Sequence, residues 1–252
     1  MLDALRLSVG TQTIMPSGAV ADIDRRTAAR AMIIAPLAVL PLAITVALVG
    51  WLGRIAGLPP LAVGLLVVGG LALGSRALHL DGLADTVDGL GSGWNAERSL
   101  MVMRRGDVGP MGVVALIVVI GLQALAVGEL VQGLAGALLV GVVVCCSRAA
   151  LCLTCVRGVP AARDNGLGSA VAGSVPRAAA AGCWLAVLLI MTGAAWLSGH
   201  RPASGALATV AAALLVAILI YRCVRRLGGV TGDVMGAAIE IAFTAMIVMM
   251  IL

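Results

Sequence analysis

Long apolar runs separated by short polar segments recur along most of the chain. Runs of this kind are long enough to cross about 30 Å of hydrocarbon as helices. They cover residues 31–53, 60–80, 110–128, 131–155, 178–198, 204–221 and 234–252. The pattern predicts an all-α fold, a polytopic membrane bundle of about seven transmembrane helices. Residues 1–30 carry scattered charges and no such run, so we expect a cytoplasmic or interfacial segment there.

The composition agrees with a single integral membrane domain over residues 1–252. The chain is 61% hydrophobic and 12% charged, with a mean hydropathy of +1.11, which is far from the values of soluble domains. Its six cysteines lie in or beside the apolar runs, without the spacing of a secreted disulfide framework. We interpret them as buried hydrophobic residues. We expect membrane lipids as partners and no nucleic acid. The sequence is compatible with an oligomer as well as with a monomer.

The charged residues are sorted to one side of the predicted bundle. All 17 basic residues are arginines, and apart from Arg54 and Arg201 they fall in the N-terminal segment, in the second, fourth and sixth loops, or at the helix ends beside them. The positive-inside rule makes this side cytoplasmic, with the N-terminus inside and the C-terminus outside. The protein is therefore predicted to lie in the cytoplasmic membrane. Trp94 falls on the same side, where we expect it to anchor the interface.

Three aspartates attached to the second apolar run are the strongest sign of chemistry. Asp81, Asp85 and Asp88, in the stretch DGLADTVDG, fall within roughly 60° of one another on a helix. A bare acidic stripe would be costly in a membrane, but at its rim the carboxylates form the hard oxygen donor set that suits Mg²⁺. Pairing with arginines at a helix end is the alternative. Gly82 and Gly89, beside the aspartates, would let a substrate or another helix approach closely.

Several arginines on the same side could bind phosphate oxygens. Arg76 and Arg148 are the most deeply placed in apolar surroundings, where each would bind phosphate or neutralise an acid. Arg104 and Arg105 open the glycine-rich stretch RRGDVGPMG before the third run. Carboxylates and arginines together are what a metal ion and a polyanionic substrate require. We expect the active site on this cytoplasmic face.

A second glycine-rich stretch, RRLGGVTGDVMGA, precedes the last apolar run. It contains Thr231 and Asp233, and it predicts a further metal ligand or a phosphate cradle. The stretch ARDNGLGSA in the fourth loop would supply polar contacts or form a flexible loop. His79 is expected to be a packed interfacial residue, and Glu240, inside the last run, to be paired rather than catalytic.

Two of these stretches resemble the motifs of a known family, the integral-membrane cobalamin synthases, also called adenosylcobinamide-GDP ribazoletransferases. SRALHLDGLADTVDGL is similar to the family segment H-x-D-G-L-A-D-T-x-D-G, and RRLGGVTGDVMGA to G-G-x-T-G-D-x-x-G-A. Weaker similarities follow in family order through VMRRGDVGPMG, Ser147–Arg148 and RDNGLG. The resemblance covers about residues 10–240.

The resemblance implies a Mg²⁺-dependent transferase that joins adenosylcobinamide phosphate to α-ribazole or its 5′-phosphate and releases GMP. On this interpretation Asp81, Asp85 and Asp88 hold the metal, and Asp88 or Asp233 accepts the proton of the attacking hydroxyl. The remaining predicted residues contact the substrate, and they are Arg76, Arg104, Arg105, Arg148, Gly82, Gly89 and Thr231.

Two alternatives fit the sequence less well. A CDP-alcohol phosphotransferase would have D-G-x-x-A-R, whereas here the first aspartate is followed by G-L-A-D and the alanine–arginine pair is missing. A multipass transporter would place its charges near mid-membrane and show paired interrupted helices in two halves. The charges here lie on one side, and no internal repeat is evident.

Overall fold

The computed structural model describes residues 1–20, 23–93 and 95–252, so Trp94 lies outside the described residues. Within these ranges the chain is helical and forms no strand. The helices are α1 (Leu2–Gln12), α2 (Arg25–Ala38), α3 (Leu40–Ile55), α4 (Pro60–Gly74), α5 (Leu78–Gly91), α6 (Ala96–Val102), α7 (Pro110–Leu130), α8 (Leu134–Ser147), α9 (Ala150–Thr154), α10 (Leu167–Val171), α11 (Arg177–Leu197), α12 (Pro202–Leu227) and α13 (Gly232–Ile251).

The predicted polytopic bundle is confirmed. In the described part of the chain, six helical segments are long and apolar enough to cross a membrane, or seven if the bent pair α4–α5 counts as one span. The first span joins α2 and α3 and begins at Arg25, earlier than the apolar run, because the side chain of Asp24 accepts a hydrogen bond from the N–H of Thr27 at 2.7 Å. This cap lets polar residues form the first turns.

The second predicted span differs from the expectation. The apolar run 60–80 does not form one helix, because α4 and α5 meet at 90°. Arg76 and Ala77, at φ 56° and 55°, adopt the left-handed conformation and turn the chain. The predicted acidic segment is therefore a separate helix, which packs against α13, α7 and α6.

Helix α13 lies at the centre of the bundle and packs against α5, α7, α8, α9 and α12. Its side chains from Val234 to Ile239 are almost completely buried. Elsewhere helices approach through small residues, as in many membrane proteins. A side chain on Gly128 would meet the main chain of Pro60, and one on Gly205 would meet that of Met191.

A polar network crosses the apolar core below the acidic end. The amide of Gln123 on α7 donates to Glu240 Oε2 at 2.8 Å and to Thr244 Oγ1 at 2.9 Å, both on α13. Arg148, 3% exposed, donates to the carbonyl of Val144 at 2.8 Å and is attracted by Glu240. Glu240 is thus paired, as expected. Of the two roles considered for Arg148, this arrangement favours charge neutralisation.

The polar loops meet at one end of the bundle. The segment after α9 pairs with the segment before α13, since Ala162 N–H donates to the Val230 carbonyl and Val230 N–H to the Pro160 carbonyl, both at 2.9 Å. Arg226, at the end of α12, donates to the carbonyl of Gly93 in the loop after α5. The loops rich in arginine are therefore neighbours in space, as their charge pattern indicated.

Candidate active site

A cavity of about 310 Å³ opens where α1, the α4–α5 bend and α13 meet. Arg76, Asp81 and Asp233, three of the predicted site residues, line it. Arg76 was expected to lie deep in apolar surroundings, but the bend at Arg76 and Ala77 leaves it exposed. Asp81 is also exposed and the Asp233 side chain is 25% exposed, so these polar groups mark the open side. The remaining wall is largely apolar and buried.

Close contact between α5 and α13 brings the two acidic motifs together. A Cβ atom on Gly82 would lie 2.6 Å from the carbonyl oxygen of Asp233, and one on Gly236 would lie 3.1 Å from the Cα atom of His79. Only glycine permits this approach at Gly82. The absence of a side chain at Gly82 therefore admits a neighbouring helix, which is one of the two roles predicted for it. This contact sets Asp233 beside the acidic face of α5.

The acids of this face share one electrostatic environment. The half-buried carboxylate of Asp85 is repelled by those of Asp81, Asp233 and Asp88 and attracted by Arg163. Such crowding of like charges is unfavourable without a cation. A divalent ion or an arginine between the carboxylates would offset it.

Asp88 differs from the other aspartates because its carboxylate already has partners in the protein. It accepts hydrogen bonds from the N–H groups of Gly109 at 2.7 Å and Gly112 at 2.9 Å, one on each oxygen. These are free N–H groups at the start of α7, where a negative charge is favoured. A Cβ atom on Gly109 would lie 2.6 Å from Asp88 Oδ1. The structure thus uses Asp88 to cap α7 from a different helix.

Thr231 and Arg163 orient Asp233. The Thr231 hydroxyl donates to Asp233 Oδ2 at 3.1 Å and accepts from Val234 N–H at 3.3 Å, so it caps α13 and holds the carboxylate. Arg163 forms a 3.5 Å ion pair with Asp233 and donates to the Leu100 carbonyl at 3.1 Å. Burial lowers the pKa of Arg163, and the Asp233 carboxylate acts in the opposite direction. The guanidinium nevertheless remains charged at neutral pH.

The Arg163→Met variant tests this pairing. For the transferase reaction that the motifs imply, we expect kcat/KM to fall about tenfold to hundredfold, since a hydrogen bond to a charged group contributes about 1.5–3 kcal/mol and the expected phosphate substrate would lose a cation. The control is Arg157→Met, because Arg157 is exposed and its bonds to Val175 and Arg177 use the main chain. Equal activity of the two variants would contradict the role of Arg163.

Arg76 links the bend to the N-terminal helix. Its guanidinium donates to the carbonyl of Gly10 at 2.6 Å, and the N–H of Ile14 donates to the Gly74 carbonyl at 2.7 Å. Helix α1 is thereby fixed beside the cavity, whose wall it completes with Thr11 and Gln12. The left-handed conformation of a residue other than glycine is a form of strain that often accompanies functional sites.

The Ala77→Gly variant measures that strain. We expect the free energy of unfolding to rise by about 1 kcal/mol, because a left-handed alanine costs about 1–2 kcal/mol and glycine does not. The measurement is denaturant or heat unfolding in detergent. Ala181→Gly, at an exposed position of α11, should instead lower stability by about 1 kcal/mol. A loss of stability at both positions would show that the bend is not strained.

Other predicted site residues lie outside the cavity wall. Arg104 and Arg105 are exposed in the loop before α7, and Arg104 is close enough to Arg163 to repel it. Arg148 lies in the polar network of the core. At Gly89 a Cβ atom would lie 2.5 Å from the side chain of Met103, so its small size serves packing with α6 and the following loop.

The carboxylates suit a metal ion whose remaining ligands are oxygen atoms of a bound substrate. Among the residues that the structure describes, no group of three or more acidic, histidine or cysteine side chains is arranged to hold a metal ion by itself. Mg²⁺ usually takes one or two carboxylates together with substrate phosphates. Asp81 and Asp85 fit that pattern, with Asp233 nearby.

Two residues of this region are absent from the predicted site. For Arg163 the sequence predicts only a place in a polar loop, although a basic residue in RDNGLG and an acid in the second glycine-rich stretch are candidates for an ion pair. His79 is buried, as predicted, but it also lines the cavity. No spacing rule could have placed it there, because the 90° bend decides its direction.

Comparison with known proteins agrees with the motifs. The model of the cobalamin-5-phosphate synthase family matches residues 4–251. The chain is 49% identical to the adenosylcobinamide-GDP ribazoletransferase of Nocardioides sp. over 245 residues, which cover 97% of this chain and 96% of that relative. It is 36% identical to the enzyme of that name from Frankia casuarinae, over 99% of this chain and 94% of the relative. It is 34% identical to the enzyme of that name from Bradyrhizobium diazoefficiens, over 92% of this chain and 87% of the relative. No solved structure matches the chain.

Proposed function

The chain belongs to the cobalamin-5-phosphate synthase family, and we propose that it is an adenosylcobinamide-GDP ribazoletransferase. The reaction would join adenosylcobinamide phosphate to α-ribazole or its 5′-phosphate and release GMP. The observation that carries the proposal for the site is the cavity shared by Arg76, Asp81 and Asp233. Two carboxylates and a guanidinium at one opening suit a reaction between a pyrophosphate of one substrate and a hydroxyl group of another.

We assign Mg²⁺ binding to Asp81 and Asp85. The metal, when bound, would neutralise pyrophosphate oxygens and favour departure of GMP. Asp81 is exposed and Asp85 half-buried, so both carboxylates can accept additional partners. Asp88 completes the predicted triad in sequence, but its bonds to Gly109 and Gly112 suit a structural role better.

Proton transfer is assigned to Asp233. The 3′-hydroxyl oxygen of the ribazole would attack the phosphorus that bears cobinamide, the bond from this phosphorus to the GMP oxygen would break, and Asp233 would take the hydroxyl proton. Its ion pair with Arg163 is 3.5 Å long, which leaves the carboxylate available for another bond. Arg76 and Arg163 would attract the phosphate oxygens, with Arg104 and Arg105 approaching from the loop.

The charge pattern supports a site on the cytoplasmic face of a cytoplasmic membrane. The acidic cavity and the arginine-rich loops share one end of the bundle. That end would face the cytoplasm by the positive-inside rule, where nucleotide substrates are available. Protease protection of tags at the two termini in closed vesicles would test this orientation.

The direct test is GMP release by purified protein in detergent. We expect release from adenosylcobinamide-GDP only when α-ribazole or its phosphate and Mg²⁺ are both present, with formation of the joined product. A CDP-alcohol phosphotransferase would release CMP from a CDP-alcohol instead, and a transporter would release neither nucleotide. Absence of GMP under all these conditions would refute the proposed function.

A further inference from the structure

We propose that Asp88 is a positioning residue for the substrate phosphates, because it fixes the start of α7 to α5 and thereby holds Arg104 beside Arg163. Arg104 belongs to the loop of residues 104–108, the arginine loop. Asp88 would bind neither metal nor substrate, and its effect on the reaction would pass through Arg104. The role of Arg104 rests on the proposed function, whereas the attachment of the loop is a property of the chain itself.

Both ends of the arginine loop are attached to α5. Before the loop, Met103 is 3% exposed and packs so closely on α5 that a Cβ atom on Gly89 would lie 2.5 Å from its Cγ atom. After the loop, the N–H groups of Gly109 and Gly112 donate to the Asp88 carboxylate. The residues between these two contacts are exposed. The course of the loop is therefore determined by the two points at which its ends meet α5.

Asp88 is poorly placed to bind a metal ion. It is 9% exposed, whereas Asp81 is exposed and Asp85 is half-buried. Each of its carboxylate oxygens already accepts a main-chain hydrogen bond, at 2.7 Å and 2.9 Å. Of the three carboxylates that repel Asp85, that of Asp88 acts most weakly. A cation at Asp88 would have to compete with the N–H groups that compensate its charge.

The arginine loop lies close to the cations and acids of the candidate site. Arg104 is near enough to Arg163 for the two guanidinium groups to repel each other. Arg163 forms its 3.5 Å ion pair with Asp233, and it also donates at 3.1 Å to the carbonyl of Leu100 on α6, which leads into the loop. Two guanidinium groups held near each other favour an anion with several charged oxygens, such as a pyrophosphate.

The Asp88→Asn variant would release one end of the loop. An amide retains one acceptor oxygen, but its NH₂ group would face an N–H donor at the start of α7. The negative charge that favours this helix start would also be lost. Arg104 would then no longer be held beside Arg163, and contacts with phosphate depend on such positioning.

Kinetics separate positioning from metal binding. We expect Asp88→Asn to raise KM for adenosylcobinamide-GDP about tenfold, without changing KM for α-ribazole or the Mg²⁺ concentration that gives half-maximal rate at saturating substrate. A purely structural role would instead lower the amount of active protein and leave each KM unchanged.

A double-variant comparison tests whether Asp88 acts through Arg104. Arg104→Gln alone should raise KM for adenosylcobinamide-GDP by a similar factor, about tenfold. Adding Asp88→Asn to it should then have little further effect, because coupled residues are not additive. Arg98→Gln, at an exposed position of α6, is the matched control. On that background Asp88→Asn should retain its full effect.

Hydrogen exchange tests the attachment of the loop without any substrate. In Asp88→Asn, the amide hydrogens of Gly109 and Gly112 should exchange at least about tenfold faster, since each loses a charged acceptor or gains a mismatched one. Trypsin should also cleave the exposed arginine loop faster. Exchange in α11 should be unchanged, which would show that the bundle remains folded.

The outcomes distinguish this proposal from the proposed function. Unchanged exchange at Gly109 and Gly112 would overturn the attachment, and a changed Mg²⁺ requirement or fully additive losses with Arg104→Gln would overturn the positioning role. If the wild-type protein releases no GMP, the proposed function fails, while the exchange experiment still decides the attachment. Arg104 is exposed, so Arg104→Gln should fold even if Asp88→Asn does not, and an unchanged KM in that variant would also overturn the proposal.

Discussion

Asp85→Asn is expected to lower the transferase turnover at least about a thousandfold while leaving the protein folded. Metal stabilisation of developing phosphate charge contributes several kcal/mol, and each 1.4 kcal/mol corresponds to a factor of ten. Asp85 is half-buried and is repelled by three neighbouring carboxylates. Its amide variant would relieve that repulsion, so stability should be retained or slightly increased while Mg²⁺ binding weakens.

The measurement is GMP release as a function of Mg²⁺ concentration, together with thermal unfolding in detergent. Glu97→Gln is the matched control, because Glu97 is an exposed acid on α6. We expect the control to retain wild-type turnover. If Asp85→Asn keeps both its turnover and its Mg²⁺ dependence, the proposed metal site must be abandoned.

Gly82→Ala is expected to have the largest effect on the fold of the site. The added Cβ atom would lie 2.6 Å from the Asp233 carbonyl oxygen and 3.0 Å from its Cα atom, so α5 and α13 would have to separate. Overpacking of this kind costs about 1–3 kcal/mol. The separation would also move Asp233 away from Asp81 and Asp85, and a displacement of about 1 Å can lower turnover a hundredfold.

The control for this variant is Gly69→Ala on α4. A Cβ atom there would meet nothing within 4 Å, and alanine is the better helix former. We expect Gly69→Ala to keep full activity and to be at least as stable as the wild-type protein. Normal stability and turnover in Gly82→Ala would show that the two helices tolerate a wider spacing, and that the close contact at Gly82 is not required.

The spans could be predicted from the sequence because each apolar run matches the thickness of a bilayer. The bend inside the second run could not. No glycine or proline stands at its corner, and the left-handed residues there are Arg76 and Ala77. Their conformation depends on tertiary contacts, such as the bond from Arg76 to the Gly10 carbonyl, which no local pattern reveals.

Part of the candidate site could likewise be predicted from the sequence, and part of it could not. Asp81, Asp85 and Asp233 could be proposed because acids are costly in an apolar chain and need a reason. The contribution of Arg163 depends on pairing between two distant loops, at Ala162 and Val230. The pattern of the aspartates also could not distinguish Asp88 from its neighbours, because its partners come 21 and 24 residues later in the chain.

The cap on α7 has a consequence for how this chain can change during evolution. Asp88, Gly109 and Gly112 depend on one another, since side chains on either glycine would collide with the carboxylate that the two N–H groups bind. A single replacement at any of the three would leave the other two mismatched. We therefore expect the three positions to be inherited together, and relatives that lack the aspartate to be released from the need for both glycines.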